Sequence, residues 1–338
     1  MERCGICVGT SSESVTPLHR TNTYEGYDRG LASSTYVIKE GGDPTSLGWD
    51  AGNIIMALKN SGRVSEISLP RLTSTLLGRV AVVVQAPYLA LTSLELSLTD
   101  ETAAVLPDLF LGGSAPRLQK LDLYNVPFPA LTKLLSSATH LVYLRILDVP
   151  NFAYISPEAM ATCLSAMTGL KTFHLAFRSP RPPPDQAGRH PPPLTRTILP
   201  ALNCFFFRGN SEYLDDLVAR IDTPLLDNVT VTLFNQLVFD TPQFMQFIGR
   251  IGQLNAHNQA DLLFHGDYIK VKFSSRRGRV NRKTLVLVVK CRDSDWQLLA
   301  LAQVFSIPSP PLCTLERLGI FDCHDPPPRW QDDTEDAQ

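Results

Sequence analysis

In the stretch Arg117–Val126, RLQKLDLYNV, apolar side chains fall at Leu118, Leu121, Leu123 and Val126. That spacing is neither the strict alternation of a half-buried strand nor the three- and four-residue return of an amphipathic helix. The same template (apolar, two free positions, apolar, one free position, apolar) recurs at Val64 (VSEISL), Leu91 (LTSLEL), Leu118 (LQKLDL), Leu141 (LVYLRI), Leu170 (LKTFHL), Leu202 (LNCFFF), Leu226 (LDNVTV) and Leu315 (LERLGI). The first seven copies start 27, 27, 23, 29, 32 and 24 residues apart, mostly within the roughly 20–29 residue period of leucine-rich repeats. The pattern predicts an α/β leucine-rich-repeat solenoid, a horseshoe with a concave parallel sheet and convex helices. Each repeat adds one short strand whose apolar residues enter a shared core, while its free positions face outward.

Between strands, helix signals follow. SPEAMATCLSAM opens with Ser156 as cap, Pro157 at the first helical position and Glu158 in the first turn, followed by Met160, Leu164 and Met167. In SEYLDDLVARI, Ser211 is expected to cap a helix with Leu214, Leu217, Val218 and Ile221 on one face. WDAGNIIMALKNSG gives Asp50 as cap, Ile54, Ile55 and Leu58 on a face and Gly62 as stop. Residues 1–46, rich in Ser, Thr and Gly without period, are expected to be disordered. An irregular repeat domain then spans 47–322 with a proline-rich surface loop at 179–194, and 323–338 forms a flexible acidic tail. Between Leu226 and Leu315 the phase weakens. ADLLFHGDYIKVKF and TLVLVVK supply strands there, DWQLLALAQVF supplies a helix, and two divergent repeats would restore the period.

Composition narrows the function. Thirty-one basic against thirty-three acidic residues leave a net charge of −2, so no global field attracts nucleic acid or an anionic membrane. Seven cysteines scattered over 338 residues fit reduced thiols, and no apolar run is long enough for a membrane span. The expected location is cytoplasmic or nuclear, with no membrane partner and no nucleic-acid partner expected.

Candidate chemistry is sparse. Cys4 and Cys7 form a Cys-x-x-Cys pair, and Cys313, Cys323 and His324 cluster near the end, but neither group completes a four-ligand zinc set. No metal and no cofactor are expected. No glycine-rich phosphate loop, G-x-S-x-G elbow or H-E-x-x-H occurs. His140, His174 and Cys204 are the nearest approach to a cysteine-nucleophile site, in registers that differ, so the chain reads as a non-enzyme with no catalytic residue. SSRRGRVNRK carries Arg276, Arg277, Arg279, Arg282 and Lys283 between two strands and reads as a charged loop. The outward strand positions are the richer surface. Glu95, Lys120, Asp122, Tyr124, Tyr143, Arg145, His174, Phe206, Arg208 and Asn228 line the expected concave face, with the Tyr, Phe and Arg content that anchors protein interfaces.

The phrases WDAGNIIMALKNSGRVSEISL, LPDLFLGGSAPRLQKLDL, ATHLVYLRILDVPNFAYISPEAMATCLSAMTGLKTFHLAF and SEYLDDLVARIDTPLLDNVTVTLFNQLVFDTPQFMQFI resemble those of the fungal F-box-like leucine-rich-repeat proteins. The resemblance covers about residues 47–331. It implies intracellular repeats that recruit a protein target as the substrate-receptor part of a Skp1-cullin ubiquitin ligase, with an F-box binding the Skp1 adaptor. The first 46 residues hold no LP-x-x-L-L-x-x-I-F pattern, so the resemblance extends to the repeats and leaves adaptor binding without its motif. The alternatives are a truncated remnant without ligase activity and a Cys/His-dependent enzyme.

Overall fold

A computed structural model describes residues 7–9, 36–39, 51–100, 104–179, 195–234, 241–252, 257–274, 283–291, 297, 299 and 315–322. The chain divides into two compact units, Met1–Ala153 and Tyr154–Gln338. Each is mixed α/β, with strands that run mostly parallel.

The first unit contains β1 (Cys7–Gly9), β2 (Tyr36–Lys39), α1 (Ala51–Leu58), β3 (Val64–Leu72), α2 (Ser74–Val83), β4 (Ser93–Leu98), β5 (Lys120–Tyr124), α3 (Leu131–Ser137) and β6 (Tyr143–Val149). These strands are neighbours in chain order. β2 to β6 are parallel, and β1 lies antiparallel on β2. The template explains the strands. Its leading residues Val64, Leu91, Leu118 and Leu141 are fully buried, as are the inward residues Leu94, Leu96, Leu121, Leu123 and Leu144. Each such side chain removed from water contributes about 1.5–3 kcal/mol. The free position after the leading apolar residue sets the register. The Thr92 carbonyl accepts from the N–H groups of Gln119 and Lys120, and the Gln119 carbonyl from Val142 and Tyr143. At the end of β5, Asn125 takes a left-handed φ of 57°, a conformation that asparagine tolerates better than most residues. Its Nδ2 donates to the carbonyls of Leu98 at 3.3 Å and Asp100 at 3.1 Å.

The second unit contains α4 (Pro157–Ser165), β7 (Thr172–Phe177), β8 (Thr197–Ile198), β9 (Cys204–Gly209), α5 (Ser211–Ala219), β10 (Ile221–Asp222), β11 (Asn228–Leu233), α6 (Pro242–Arg250), β12 (Gln259–His265), β13 (Tyr268–Ser274), β14 (Thr284–Lys290) and β15 (Arg317–Asp322). Its main sheet runs in the order β7-β9-β11-β14-β13-β12-β15, and β8 and β10 form a short parallel pair beside it. The carbonyls of Lys171 and Asn203 repeat the double-acceptor pattern, and Leu170, Leu202 and Leu226 are fully buried. Ser156 caps α4 by accepting from Ala159 N–H at 3.2 Å, with Pro157 in the first turn, as its sequence signals. Tyr154, Phe177, Phe207 and Tyr213 form an aromatic cluster with ring centroids 4.8–5.6 Å apart along its Tyr154–Phe177, Phe177–Tyr213 and Phe207–Tyr213 contacts.

Four expectations are corrected. The stretch 226–315 does not supply only parallel repeats. β12 and β13 form a hairpin around Gly266-Asp267, with His265 opposite Tyr268, and β13 is antiparallel to β14. Gly266 and Asp267 are the only two residues between the paired ends of the hairpin. The cap of α5 is Asn210, and Ser211 is a buried residue inside the helix. Segment 1–46 includes the strand β2, whose Ile38 is buried, because YVIK pairs in parallel with β3. In β15 the template residues Leu318 and Ile320 are exposed, at 54% and 64%. The expected cap at Asp50, the proline-rich stretch 180–194 and the tail 323–338 lie outside the described residues.

Candidate functional site

Parallel pairing, in constant register except for a shift past Leu69 in β3, turns the free template positions into rows. In the first unit one row is Glu66, Ser93, Lys120 and Tyr143; the next is Ser68, Glu95, Asp122 and Arg145; the third holds Ser97, Tyr124 and Leu147. The expected face residues Glu95, Lys120, Asp122, Tyr124, Tyr143 and Arg145 therefore share one side of the sheet, since register partners point the same way.

Charges on this side neutralise each other. Lys120 Nζ lies 3.1 Å from Glu95 Oε2 and 5.8 Å from the Tyr143 ring centroid, and Arg145 donates to Asp122 Oδ2 at 3.4 Å. Asp122 points outward yet is buried among these neighbours, with only 8% of its surface exposed. It is held by the side chains around it and offers little surface of its own. Burial pushes its carboxyl above the usual 3.8 despite the opposing charge of Arg145. Burial pulls the Lys120 ammonium down, but the hydrogen bond and charge of Glu95 and the charge of Asp122 leave it raised overall. The Tyr143 phenol is raised by burial and then by the Asp122 charge. Tyr124, 40% exposed, is the prominent ring at the edge of these rows.

In the second unit β7, β9, β11 and β14 align Thr172, Cys204, Asn228 and Thr284, then His174, Phe206, Thr230 and Val286, then Ala176, Arg208, Thr232 and Val288. The expected residues His174, Phe206, Arg208 and Asn228 share this side. His174 and Phe206 rings sit 5.5 Å apart, Arg208 Nε donates to the Phe177 carbonyl at 3.2 Å, and Asn228 Oδ1 accepts from Thr284 Oγ1 at 3.0 Å.

Antiparallel pairing extends these rows over residues the repeat template does not reach. Lys272 and Asp261 continue the row of Phe206, Lys270 and Leu263 continue the row of Arg208, and Lys290 stands opposite Tyr268. Their signal was present in the alternation of YIKVKF and in the β-branched apolar run TLVLVVK. It is read from period two and from the Gly-Asp turn, and the leucine template misses it.

Cys204 Sγ approaches His174 Nε2 at 3.6 Å although the two residues occupy successive rows. Burial raises the Cys204 thiol, which opposes the thiolate that nucleophilic chemistry requires. Among the described residues no group of three His, Cys, Asp or Glu side chains is placed to hold a metal ion, and no helix is long and apolar enough to cross a membrane. A cleft of about 330 Å³ in the first unit is lined by Ile54, Leu69, Leu72 and Leu76, with Arg71 and Arg79. These lining groups include no nucleophile paired with a base. Four of the five basic residues of the SSRRGRVNRK loop lie outside the described residues; Lys283 lies 3.8 Å from Asp227 Oδ1. Comparison with protein-family models, with curated proteins and with solved structures gives no match to this chain.

Proposed function

We propose that this chain is a leucine-rich-repeat solenoid acting as a non-enzymatic protein-binding module through the outward strand positions of its two units. The observation that carries the reading is the in-register alignment of polar and aromatic side chains into rows on one side of each parallel sheet. Such rows supply rigid aromatic anchors, Tyr124 and Phe206, beside guanidinium groups, the residue types enriched where proteins bind proteins. The resemblance to F-box-like repeat proteins extends this to recruitment of a ubiquitin-ligase target, with the Skp1 adaptor contact a separate question because the F-box pattern is missing from the sequence. Proximity labelling in cells that make the protein tests both parts. A recurring set of protein neighbours that is lost on Tyr124→Ala and Phe206→Ala supports binding by these faces, and absence of a Skp1-like adaptor from that set removes the ligase part alone.

A second reading, an enzyme using Cys204 with His174, rests on their 3.6 Å approach. Labelling by a thiol-reactive substrate probe that disappears in Cys204→Ala favours it. The raised thiol argues for no such labelling at neutral pH.

A further inference from the structure

The two outward faces differ in charge. In the first unit Lys120 and Arg145 each face a carboxylate across the strands. In the second unit the outward positions of β9, β13, β14 and β15 carry Arg208, Lys270, Lys272, Lys290 and Arg317, and β12 supplies one carboxylate there, Asp261, opposite Lys272. Asp267, in the hairpin turn, is held by His265 at 2.6 Å. The register partners of Lys270 are Val288 and Leu263, that of Lys290 is Tyr268, and Arg317 stands opposite Gln259. No carboxylate lies in register with these three cations.

Between the cations the surface is apolar. Val286 and Val288 point outward from β14 and are half-buried beside the methyl-bearing Thr230 and Thr232 of β11, with Phe206 in the same row one strand further on. Valines on an outward strand position, with no layer of this unit's described helices over them, make a patch that water solvates poorly. The cations along its margin set the sign of what covers it.

We propose that this face of the second unit docks an acidic peptide segment of a partner protein, its aliphatic side chains against Val286, Val288 and Phe206 and its carboxylates against Lys270, Lys290 and Arg208. The assignment rests on the protein-binding reading above and adds the partner's chemistry. Charge complementarity selects the peptide over a basic or neutral one. The aliphatic floor favours it over a nucleic acid strand, whose bases need a run of exposed aromatic faces to stack on.

The test is a fluorescence-anisotropy titration of the full chain with three labelled probes: a short peptide alternating Glu with Val or Leu, the same peptide with Lys in place of Glu, and oligouridylate. The expected result is binding of the acidic peptide alone, weakening with rising salt because the contacts are charged and partly exposed. Lys270→Glu with Lys290→Glu is expected to weaken it about tenfold or more, equivalent to about 1.4 kcal/mol. Lys59→Glu, at an exposed position just after α1 and outside the outward rows, is expected to leave this titration unchanged. Should the double reversal fail to fold, the salt dependence of the unaltered chain and the single Lys290→Gln variant carry the test. Binding of both peptides alike, or acidic-peptide binding indifferent to salt and to the substitutions, overturns the acidic partner while leaving a protein-binding face. Preference for oligouridylate overturns both readings, and binding of no probe overturns the present one.

Discussion

Arg145 reaches across from β6 to place Nη1 3.4 Å from Asp122 Oδ2 on β5, one residue directly opposite the other in the parallel register. The carboxylate is nearly buried and the guanidinium partly exposed, with side-chain exposures of 11% and 39%. Removing Arg145 therefore leaves a desolvated charge with weaker compensation. Arg145→Met is expected to lower unfolding free energy in urea by about 1–3 kcal/mol, less than the ~3–5 kcal/mol of a fully buried broken pair. Asp122 already titrates above its ordinary value, and the variant raises it further. A carboxyl with a raised folded pKa gains stability as pH falls through that pKa, so the deficit is expected to shrink on acidification toward about pH 4. A deficit that grows on acidification contradicts this.

Gly209 has no room for a methyl group. An added Cβ would meet Phe207 Cζ at 2.6 Å and Phe177 Cδ2 at 3.1 Å, and both rings are locked against Tyr213. Gly209→Ala is expected to destabilise by about 1–3 kcal/mol through overpacking, read as a lower thermal midpoint. Gly62→Ala, where nothing lies within 4 Å, is expected to change it little.

Asn125 combines a left-handed backbone with two side-chain bonds to Leu98 and Asp100. Asn125→Gly keeps the backbone freedom and loses the bonds, whereas Asn125→Ala loses both. Ala is therefore expected to be the more destabilising, by about 1–3 kcal/mol against the native chain, with Gly between. Equal stability of the two variants assigns the effect to the hydrogen bonds alone.

His257 is completely buried, its ring 6.3 Å from that of Phe273. Burial lowers its pKa below the ordinary 6.5, so the unfolded chain binds a proton before the folded one does. Stability from this residue is complete above about pH 6.5 and falls as pH drops through that value toward the folded pKa. The thermal midpoint of His257→Phe is expected to fall less steeply than that of the native chain over the same acid range. A parallel fall assigns the acid sensitivity elsewhere.

The strands β3, β4, β5, β6, β7, β9 and β11 were legible because each carries the same three inward apolar residues, and within each unit parallel pairing kept the template positions aligned, with one register shift between β3 and β4 past Leu69. The shared side of Tyr124, Tyr143 and Arg145 in the first unit, and that of His174 and Phe206 in the second, each followed from that alone. Burial of Asp122 was not legible, since it depends on how far the Arg145, Lys120 and Glu95 side chains lean across neighbouring strands. Lys270 and Lys290 were missed because leucine spacing was carried into a region of antiparallel strands, where the relevant signals are the alternation of YIKVKF, the β-branched run TLVLVVK and a Gly-Asp turn. Asn210 holds the cap position of α5 with extended backbone and no side-chain capping bond, so the serine preference placed the helix start one residue late.

The most direct measurement of partner binding by these outward rows is quantitative proximity labelling with the native chain beside a variant carrying Tyr124→Ala, Phe206→Ala and Lys270→Glu, both confirmed folded by circular dichroism. Loss of the enriched protein neighbours in the variant is expected. An unchanged set of neighbours contradicts it.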